Sequence, residues 1–443
     1  MNYLWFKSLK STEAAVNLNL YNRLQCSNLI IINVGTLKKH LKVIINNDLL
    51  DNTIGLPISL SNKYTIPTEI PYEIYHKDRE IHLGPVIAYI VMGSFYNLNK
   101  KKLTTHLPRF SDYMSIKGLI YICTKDSIDL ARNRIKGYYY DPKGVISGRA
   151  WWYGEFPLPD AIFNRSFLSQ NKVRALQKKI GNNIFNSYFR NLNKWNIYRK
   201  LSKDKKLIKH LPYTENYKSV RQLIGLLKKY KSLYLKPFSK SQGKGILCVL
   251  KSNKKFLVID ERKQRYYFQD YNSMGKFLNK RVIKPSIIQQ AVPFETEKKL
   301  VDFRIILQRD EDKKWSYKGC VAKISQEGSV ITNKQCRQQA LIGKDALTTI
   351  YNLSETAADR MEEKMITLTI KAIHIYERSG MHLGDVAADI ILDSNLHLWL
   401  LELQLNHRTT EVFPERYKKI MVTPFRYAKA LAGFSNNAPA FTV

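Results

Sequence analysis

Seven short apolar runs follow one another between Leu233 and Ile324: "LYLKP", "GILCVL", "FLVID", "RYYFQ", "SIIQQAV", "DFRIILQR" and "WSYKGCVAKI". Each has the length of a strand and is set off from the next by turn-forming residues, so neighbours in sequence are expected to pair as antiparallel sheet with few crossover helices. A long helix is predicted at about Thr356 to Ser379, where Met361, Met365, Leu368, Ala372, Ile375 and Tyr376 recur at three- and four-residue steps and Gly380 marks the stop. Two final strands, "VAADIILD" and "LHLWLLELQL", are joined by "SN", short enough for a hairpin. Upstream, "GPVIAYIVMGS" (Gly84 to Ser94), a helical stretch and "GLIYICT" form an α/β pattern. "PLPD" lies in the aromatic segment Trp151 to Arg165 and marks a boundary, with mostly helical basic residues after it to about Tyr230. The first eighty or so residues read as a small β-rich module.

At 443 residues the chain has room for two or three domains, and 44% apolar and 12% aromatic content place it among folded globular chains. Lys and Arg number 72 against 37 Asp and Glu, a net charge of +35 that attracts polyanions or phosphate-bearing small molecules without choosing among them. The densest basic group is "RKLSKDKKLIKH" (Arg199 to His210). Nucleic-acid binding driven by charge is one possible consequence, but no RNA- or DNA-reading motif is present and no specific nucleic-acid recognition is expected. Five scattered cysteines, with no CxxC or Cys/His metal spacing, fit reduced core thiols. With no signal-peptide core at the N-terminus and no apolar span of membrane length, a soluble cytoplasmic protein is expected.

Three constellations carry chemistry. In "LYLKPFSKSQGKGILCVL" a strand ends in Lys236, and the following turn gathers Ser239, Lys240, Ser241, Gln242, Gly243, Lys244 and Gly245. Hydroxyls, ammonium groups and backbone N–H groups in one small volume suit a triphosphate, although a plain lysine-bearing hairpin turn reads the same way and the spacing is not that of a Walker loop. In "AADIILDSNLHLWLLELQLN", Asp389 and Glu402 stand on opposite arms of the hairpin, with Gln404 and Asn406 following Glu402 at two-residue steps. Such a hard-oxygen cluster suits magnesium carrying a nucleotide's phosphates; solvated acids on an edge hairpin are the alternative. In "VDFRIILQRD", Asp302 and Arg304 share a strand face, where Arg304 clamps a phosphate or carboxylate or makes a cross-strand ion pair.

Taken in order, these stretches resemble the ATP-grasp fold and, more narrowly, the YheC/YheD family of endospore coat-associated proteins. The resemblance runs from about Gly84 to the C-terminus and rests on "GPVIAYIV", "WWYGEFPLPDAIFNR", "NKWNIYRKLSKDKKLIKHLPYTE", "LYLKPFSKSQGKGI", "IIQQAV", "DFRIILQRD", "KWSYKGCVAKI", "ITN" and "DIILDSNLHLWLLELQLN". It implies an α+β fold in which two subdomains grip a nucleotide, preceded by an α/β pre-ATP-grasp domain. The expected division is 1–83 for the β-rich module, 84–165 for the pre-ATP-grasp domain, 166–430 for the ATP-grasp domain and 431–443 for a tail. Within the ATP-grasp domain, about 190–290 is the nucleotide subdomain and about 291–430 the metal and catalytic one.

By matching position, the resemblance makes Lys194 and Lys236 the nucleotide-binding lysines, with the turn from Ser239 to Gly245 closing over the phosphates. Gln289, Gln290, Ala291 and Val292 become the strand that meets adenine, with Glu295 or Glu297 reaching the ribose. Asp389, Glu402, Gln404 and Asn406 are the expected metal ligands, and Arg304, Lys323, Arg337 and Asn333 the expected catalytic groups. The implied cofactors are ATP and Mg2+, and the implied chemistry is carboxylate–amine ligation through an acylphosphate. Three departures stand out: Gln404 where the fold usually has Asn, Lys323 where the family usually has Arg, and "TNKQCRQQA" without the Gly-Gly that usually follows "TN". They leave a second possibility open, a nucleotide-holding protein without turnover that serves in coat assembly. The basic surface points to an acidic partner, such as a polyanionic coat or wall polymer.

Overall fold

The structure is a computed structural model and describes residues 2–6, 8–24, 26–77, 80–187, 193–240, 243–252, 255–292, 299–332, 335–407 and 414–434. Among the described residues the strands form four sheets. The first takes strands from Asn2–Phe6 through Glu80–Gly84, with the Leu29–Val34, Leu37–Ile45 hairpin at its centre. In the second, Val86–Val91, Leu119–Thr124 and Ala161–Asn164 run parallel and the Arg134–Tyr140, Trp151–Pro157 ribbon closes one side. One core holds residues from both sheets, including Val16, Ile32 and Leu56 of the first and Val86, Tyr121 and Ile162 of the second.

The third and fourth sheets position the candidate site. The third pairs Thr214–Asn216, Ser286–Gln290, Ser232–Pro237, Leu247–Ser252, Lys255–Asp260 and Arg265–Phe268 in that spatial order, all antiparallel. Its outer face buries Leu233, Leu235, Val249, Val258 and Ile288 under the helices Val220–Tyr230 and Tyr271–Arg281. Its inner face carries Tyr234, Lys236, Cys248 and Gln289, because side chains one position apart on a strand point to opposite faces.

The fourth sheet orders Arg337–Ile342, Trp315–Ser325, Val301–Arg309, Asp385–Leu392 and Leu398–Gln404, again antiparallel. Val301, Phe303, Ile305 and Leu307 alternate onto one face with Val386, Ala388 and Ile390, and there they pack against the helix Glu355–Glu377 through Met361, Met365, Leu368 and Ala372. Asp302, Arg304 and Gln308 are left on the other face, opposite Lys323 and Asp389. The helix expected near Thr356 to Ser379 is thus present and apolar at the expected spacing, although Ile375 is only half-buried.

A last helix, Pro414–Leu431, crosses back to the second sheet and packs Phe425, Tyr427 and Ala428 against Tyr89, Phe163 and Phe185. Pro424 lies inside it and has no N–H for the carbonyl of Ile420, four residues earlier. Gln308 supplies the donor instead, from Nε2 at 2.9 Å. Gln308→Leu is therefore expected to lower stability by about 1–3 kcal/mol, the range for an unsatisfied buried carbonyl. Urea denaturation measures it, and a loss below about 0.5 kcal/mol would show that water reaches Ile420.

Candidate functional site

Lys236 extends from the inner face of the third sheet, and two neighbours fix it. Its Nζ donates to Gln289 Oε1 at 2.6 Å, and Gln289 Nε2 donates in turn to Thr214 Oγ1 at 3.0 Å. Removal from water pulls the ammonium down to about 8; Glu402, on the fourth sheet, works in the opposite direction, while Lys194 adds to the lowering. Lys194 opens the helix Lys194–Leu201, which Asn193 caps, and its Nζ donates to the carbonyl of Lys240 at 2.7 Å. That bond ties the helix to the lysine-rich turn. Gly243 and Gly245 both sit at φ +74°, which side chains rarely adopt, and a Cβ on Gly245 would meet Ile283 Cδ1 at 2.6 Å. Both glycines are thus required by the turn itself. Ser239, Lys240 and Lys244 are exposed on it.

On the facing sheet the cross-strand register makes a single ionic cluster. Asp389 lies opposite Arg304 on one side and opposite Glu402 on the other, and Lys323 lies opposite Asp302. Arg304 grips Asp389 with both arms, Nε to Oδ1 and Nη2 to Oδ2, each at 2.8 Å. Lys323 Nζ donates to Asp302 Oδ1 at 2.8 Å and to Asp389 Oδ1 at 3.2 Å, while Thr332 Oγ1 donates to the second oxygen of Asp302. Gln404 Nε2 completes the set on Asp389 Oδ2 at 2.7 Å.

The cluster is dry: Asp302, Lys323 and Asp389 are only 6–7% exposed. Burial works to raise the Asp389 carboxyl, but Arg304 and Lys323 hold it well below the usual carboxylate range. Burial likewise opposes the Arg304 guanidinium, and Asp389, Asp302 and Glu402 overcome it to hold the group above the usual arginine range.

A β-bulge sets Glu402 on this face. The partner of Asp389 is Glu402 but the partner of Ile390 is Leu400, so Leu401 is the extra residue. Before the bulge, Leu398 and Leu400 point into the core; after it Leu403 does, and Glu402 and Gln404 turn to the ionic face. The hairpin loop is wider than "SN". The strands end at Leu392 and begin again at Leu398, and Asp393 caps the loop by accepting from the N–H groups of Asn395 and His397 and from Trp399 Nε1.

This geometry revises several expectations. Two donors reach each oxygen of Asp389, which uses its acceptor capacity, so a cation bridged by Asp389 and Glu402 does not fit. Nor does Asn406 belong with the metal ligands. The strand ends at Gln404, and both ends of the Asn406 amide are taken by Arg165, Oδ1 from its Nε at 2.9 Å and Nδ2 to its carbonyl at 3.2 Å. Among the described residues no three His, Cys, Asp or Glu side chains converge as a metal site. Glu402 and Gln404 both stay on the ionic face, and Gln404 spends its amide nitrogen on Asp389.

The expected base-contacting strand also divides. Gln289 turns its amide to Lys236 and Thr214. The N–H of Gln290 goes to the Tyr213 carbonyl at 2.8 Å, and that of Ala291 to the Ser232 carbonyl at 3.3 Å. Val292 is the one of the four whose N–H finds no acceptor among the described residues. Beside it an apolar patch of Tyr234, Cys248, Ile259, Ala291, Val330 and Ile331 joins the third sheet to the loop before Arg337. Arg337 pairs with Ser325 and so shares the face of Lys323, at the sheet's edge. Ser241, Gln242, Glu295, Glu297 and Asn333 lie outside the described residues.

One buried network carried no sequence signal. Asp385 accepts from Arg165 Nη1 at 3.1 Å and from Gln308 Nε2 and His407 Nε2, both at 2.8 Å, and Arg165 also donates to the His407 carbonyl. Arg165 is 220 positions from Asp385 in sequence, so only the fold brings them together. Asn186 adds bonds to the Asp385 N–H and carbonyl at 3.1 and 2.7 Å. The second sheet is thereby fastened to the fourth immediately beside Gln404.

The family model described as YheC/D like ATP-grasp matches residues 181–431. The endospore coat-associated protein YheD of Bacillus subtilis is 24% identical over 374 residues, covering 80% of this chain and 79% of that protein. Among solved structures, D-alanyl-alanine synthetase A from Vibrio cholerae is similar with a TM-score of 0.45 at 11% identity, over 80% of this chain and 97% of that one. VanG D-Ala:D-Ser ligase from Enterococcus faecalis gives 0.44 at 10% identity, over 79% and 99%. With a family model spanning more than half its length, and with two antiparallel sheets in the matched region, the chain belongs to the YheC/D like ATP-grasp family and has the ATP-grasp fold.

Proposed function

We propose that this chain binds ATP with one magnesium ion between the third and fourth sheets and uses it to activate a carboxylate for attack by an amine. The observation that carries the proposal is Lys236, held by Gln289 on the inner face of the third sheet, with Lys194 bonded to the lysine-rich turn beside it. Lys236 and Lys194, with the turn from Ser239 to Gly245, would neutralise the phosphates. Val292 and the apolar patch around Tyr234 and Ile259 would take the base. Glu402 and the Gln404 carbonyl would hold the cation, whose other ligands are phosphate oxygens and water. The carboxylate oxygen attacks the terminal phosphorus and ADP leaves; the amine then attacks the acyl carbon and phosphate leaves. The protein's contribution is position and fixed charge, with Lys323, Arg304 and Arg337 lining the acceptor side. The named relative is coat-associated, which supports a role in spore formation.

A second reading has its own support. With Asp389 spent on Arg304, Lys323 and Gln404, the acceptor half is built as a closed ionic knot. A protein that holds nucleotide without turnover, serving in coat assembly, fits that feature. ADP release measured against panels of carboxylic acids and amines separates the two. Turnover that Glu402→Ala abolishes supports the ligase; tight magnesium-ATP binding with no turnover for any pair supports the second reading.

The lowered pKa of Lys236 sets a pH dependence. Below about 8 the free protein carries the ammonium and is ready for phosphate; above it the proton must be taken up on binding. ATP affinity is therefore expected to fall as pH rises through about 8 to 10, by up to tenfold per unit. Fold stability moves the other way for this group. Between about 8 and the unfolded lysine value near 10.4 the unfolded chain binds more protons, so its contribution to stability rises with pH. Calorimetry in buffers of different ionisation enthalpy reads the uptake directly, and its absence at pH 9 would show Lys236 to be an ordinary solvated lysine.

A further inference from the structure

A cavity of about 600 Å³ lies away from the nucleotide cleft, between the helix Glu355–Glu377 and the short turn Leu207–His210. Its walls include Arg360, Lys364 and Lys371 from the helix and Lys206 and His210 from the turn, and Leu368 and Leu398 are the buried apolar residues among them. Both leucines belong to the core on the helix side of the fourth sheet, the face opposite Arg304 and Asp389.

The charge here is unbalanced by construction. Four cations face one carboxylate in the lining, Glu363. Lys371 has Asp204 at 3.0 Å, but among the described residues no carboxylate pairs with Arg360, Lys364 or Lys206. Arg360, Lys364, Thr367 and Lys371 follow at steps of four, three and four, which places them in one stripe down the helix. Like charges at that spacing repel, in contrast to the start of the same helix, where Lys344 takes both Glu355 and Asp359. On the opposite wall His210 is held in place, with Nδ1 2.9 Å from the Leu398 carbonyl and its ring stacked on His397 at 4.8 Å. Lys206 and His210 on that wall come from the densest basic run of the sequence, Arg199 to His210.

We infer that this cavity is a second ligand site, which takes a small molecule bearing two or more phosphate groups. Its volume lies within the range of small-molecule sites, roughly 300–1,000 Å³. The guanidinium fork of Arg360 matches a phosphate edge, and the lysines supply point charges around it. The leucine floor accepts an apolar portion of the ligand. The inference stands on this cavity alone and holds whether or not the cleft turns over ATP.

Inorganic tripolyphosphate, titrated calorimetrically into the full chain in magnesium-free buffer, is the probe. The double variant Arg360→Gln, Lys364→Gln is expected to weaken one class of tripolyphosphate site by at least tenfold and to leave magnesium-ATP affinity unchanged. Glutamine is a good helix former at these exposed positions, so the variant should keep the parent's thermal midpoint. Arg360→Lys, which keeps the charge, should retain most of the binding. Wild-type tripolyphosphate affinity and stoichiometry in the double variant would overturn the site. So would complete loss of tripolyphosphate binding in Lys236→Met, since all of it would then belong to the nucleotide cleft. Preferential binding of a mixed-sequence oligonucleotide that the double variant loses would replace the small ligand with a nucleic-acid surface and overturn the assignment equally.

Discussion

Asp389→Ala is expected to lower the stability of the fold by about 3–5 kcal/mol, the range for removing one partner from a buried ion pair. Asp389 is the only carboxylate bonded to Arg304 among the described residues, and it shares Lys323 with Asp302. Without it the guanidinium loses the carboxylate that takes both its arms. The penalty comes from that lost charge pairing, so Asp389→Asn, which keeps the shape, should recover only a small part of it. The pH dependence has a definite sign. The folded carboxyl is held well below its ordinary value, so its contribution is complete above the unfolded value of about 3.9 and fades as pH falls below it. Urea denaturation of the parent and both variants from about pH 2.5 to 7 measures it; a loss under about 1 kcal/mol for the alanine variant at neutral pH would mean that water enters the cluster and screens it.

Lys236→Met is expected to act in the opposite manner, with a large effect on ligand and a small one on the fold. A charge-assisted hydrogen bond to phosphate contributes about 1.5–3 kcal/mol, so ATP affinity should fall about 10- to 150-fold. Stability should change by less than about 1 kcal/mol, because losing the bond to Gln289 is offset by no longer holding a charge out of water. A residue that served the fold alone would show the reverse pattern. Equilibrium binding and urea denaturation on the same preparation separate the two.

What the sequence could say about this site followed from local periodicity. Asp302 and Arg304 are two apart on a strand, and the last two strands read as a hairpin, so their shared face and the facing positions of Asp389 and Glu402 were legible. The bulge was not. Strict alternation would have placed Leu398 and Leu400 on the face of Glu402, and one extra residue at Leu401 undoes that.

Periodicity also ran too far at Asn406. Nothing local says that the strand stops at Gln404 and that Arg165, from another sheet, takes the amide. The same limit hid Asp385 and His407, whose partners are distant in sequence. The last helix was obscured by its own Pro424, which argues against a helix until Gln308 is seen supplying the missing donor. Gln289 reads from sequence as part of a strand that meets a base, but only the sheet register shows that its side chain serves Lys236.

The account rests on the proposal that Lys236 and Glu402 serve one site for magnesium-ATP, and titration calorimetry of the full chain tests this most directly. The prediction is a saturable binding event with proton uptake at pH 9 that disappears in Lys236→Met and affinity that falls in Glu402→Ala. No heat of binding, or binding that both substitutions leave unchanged, would contradict it.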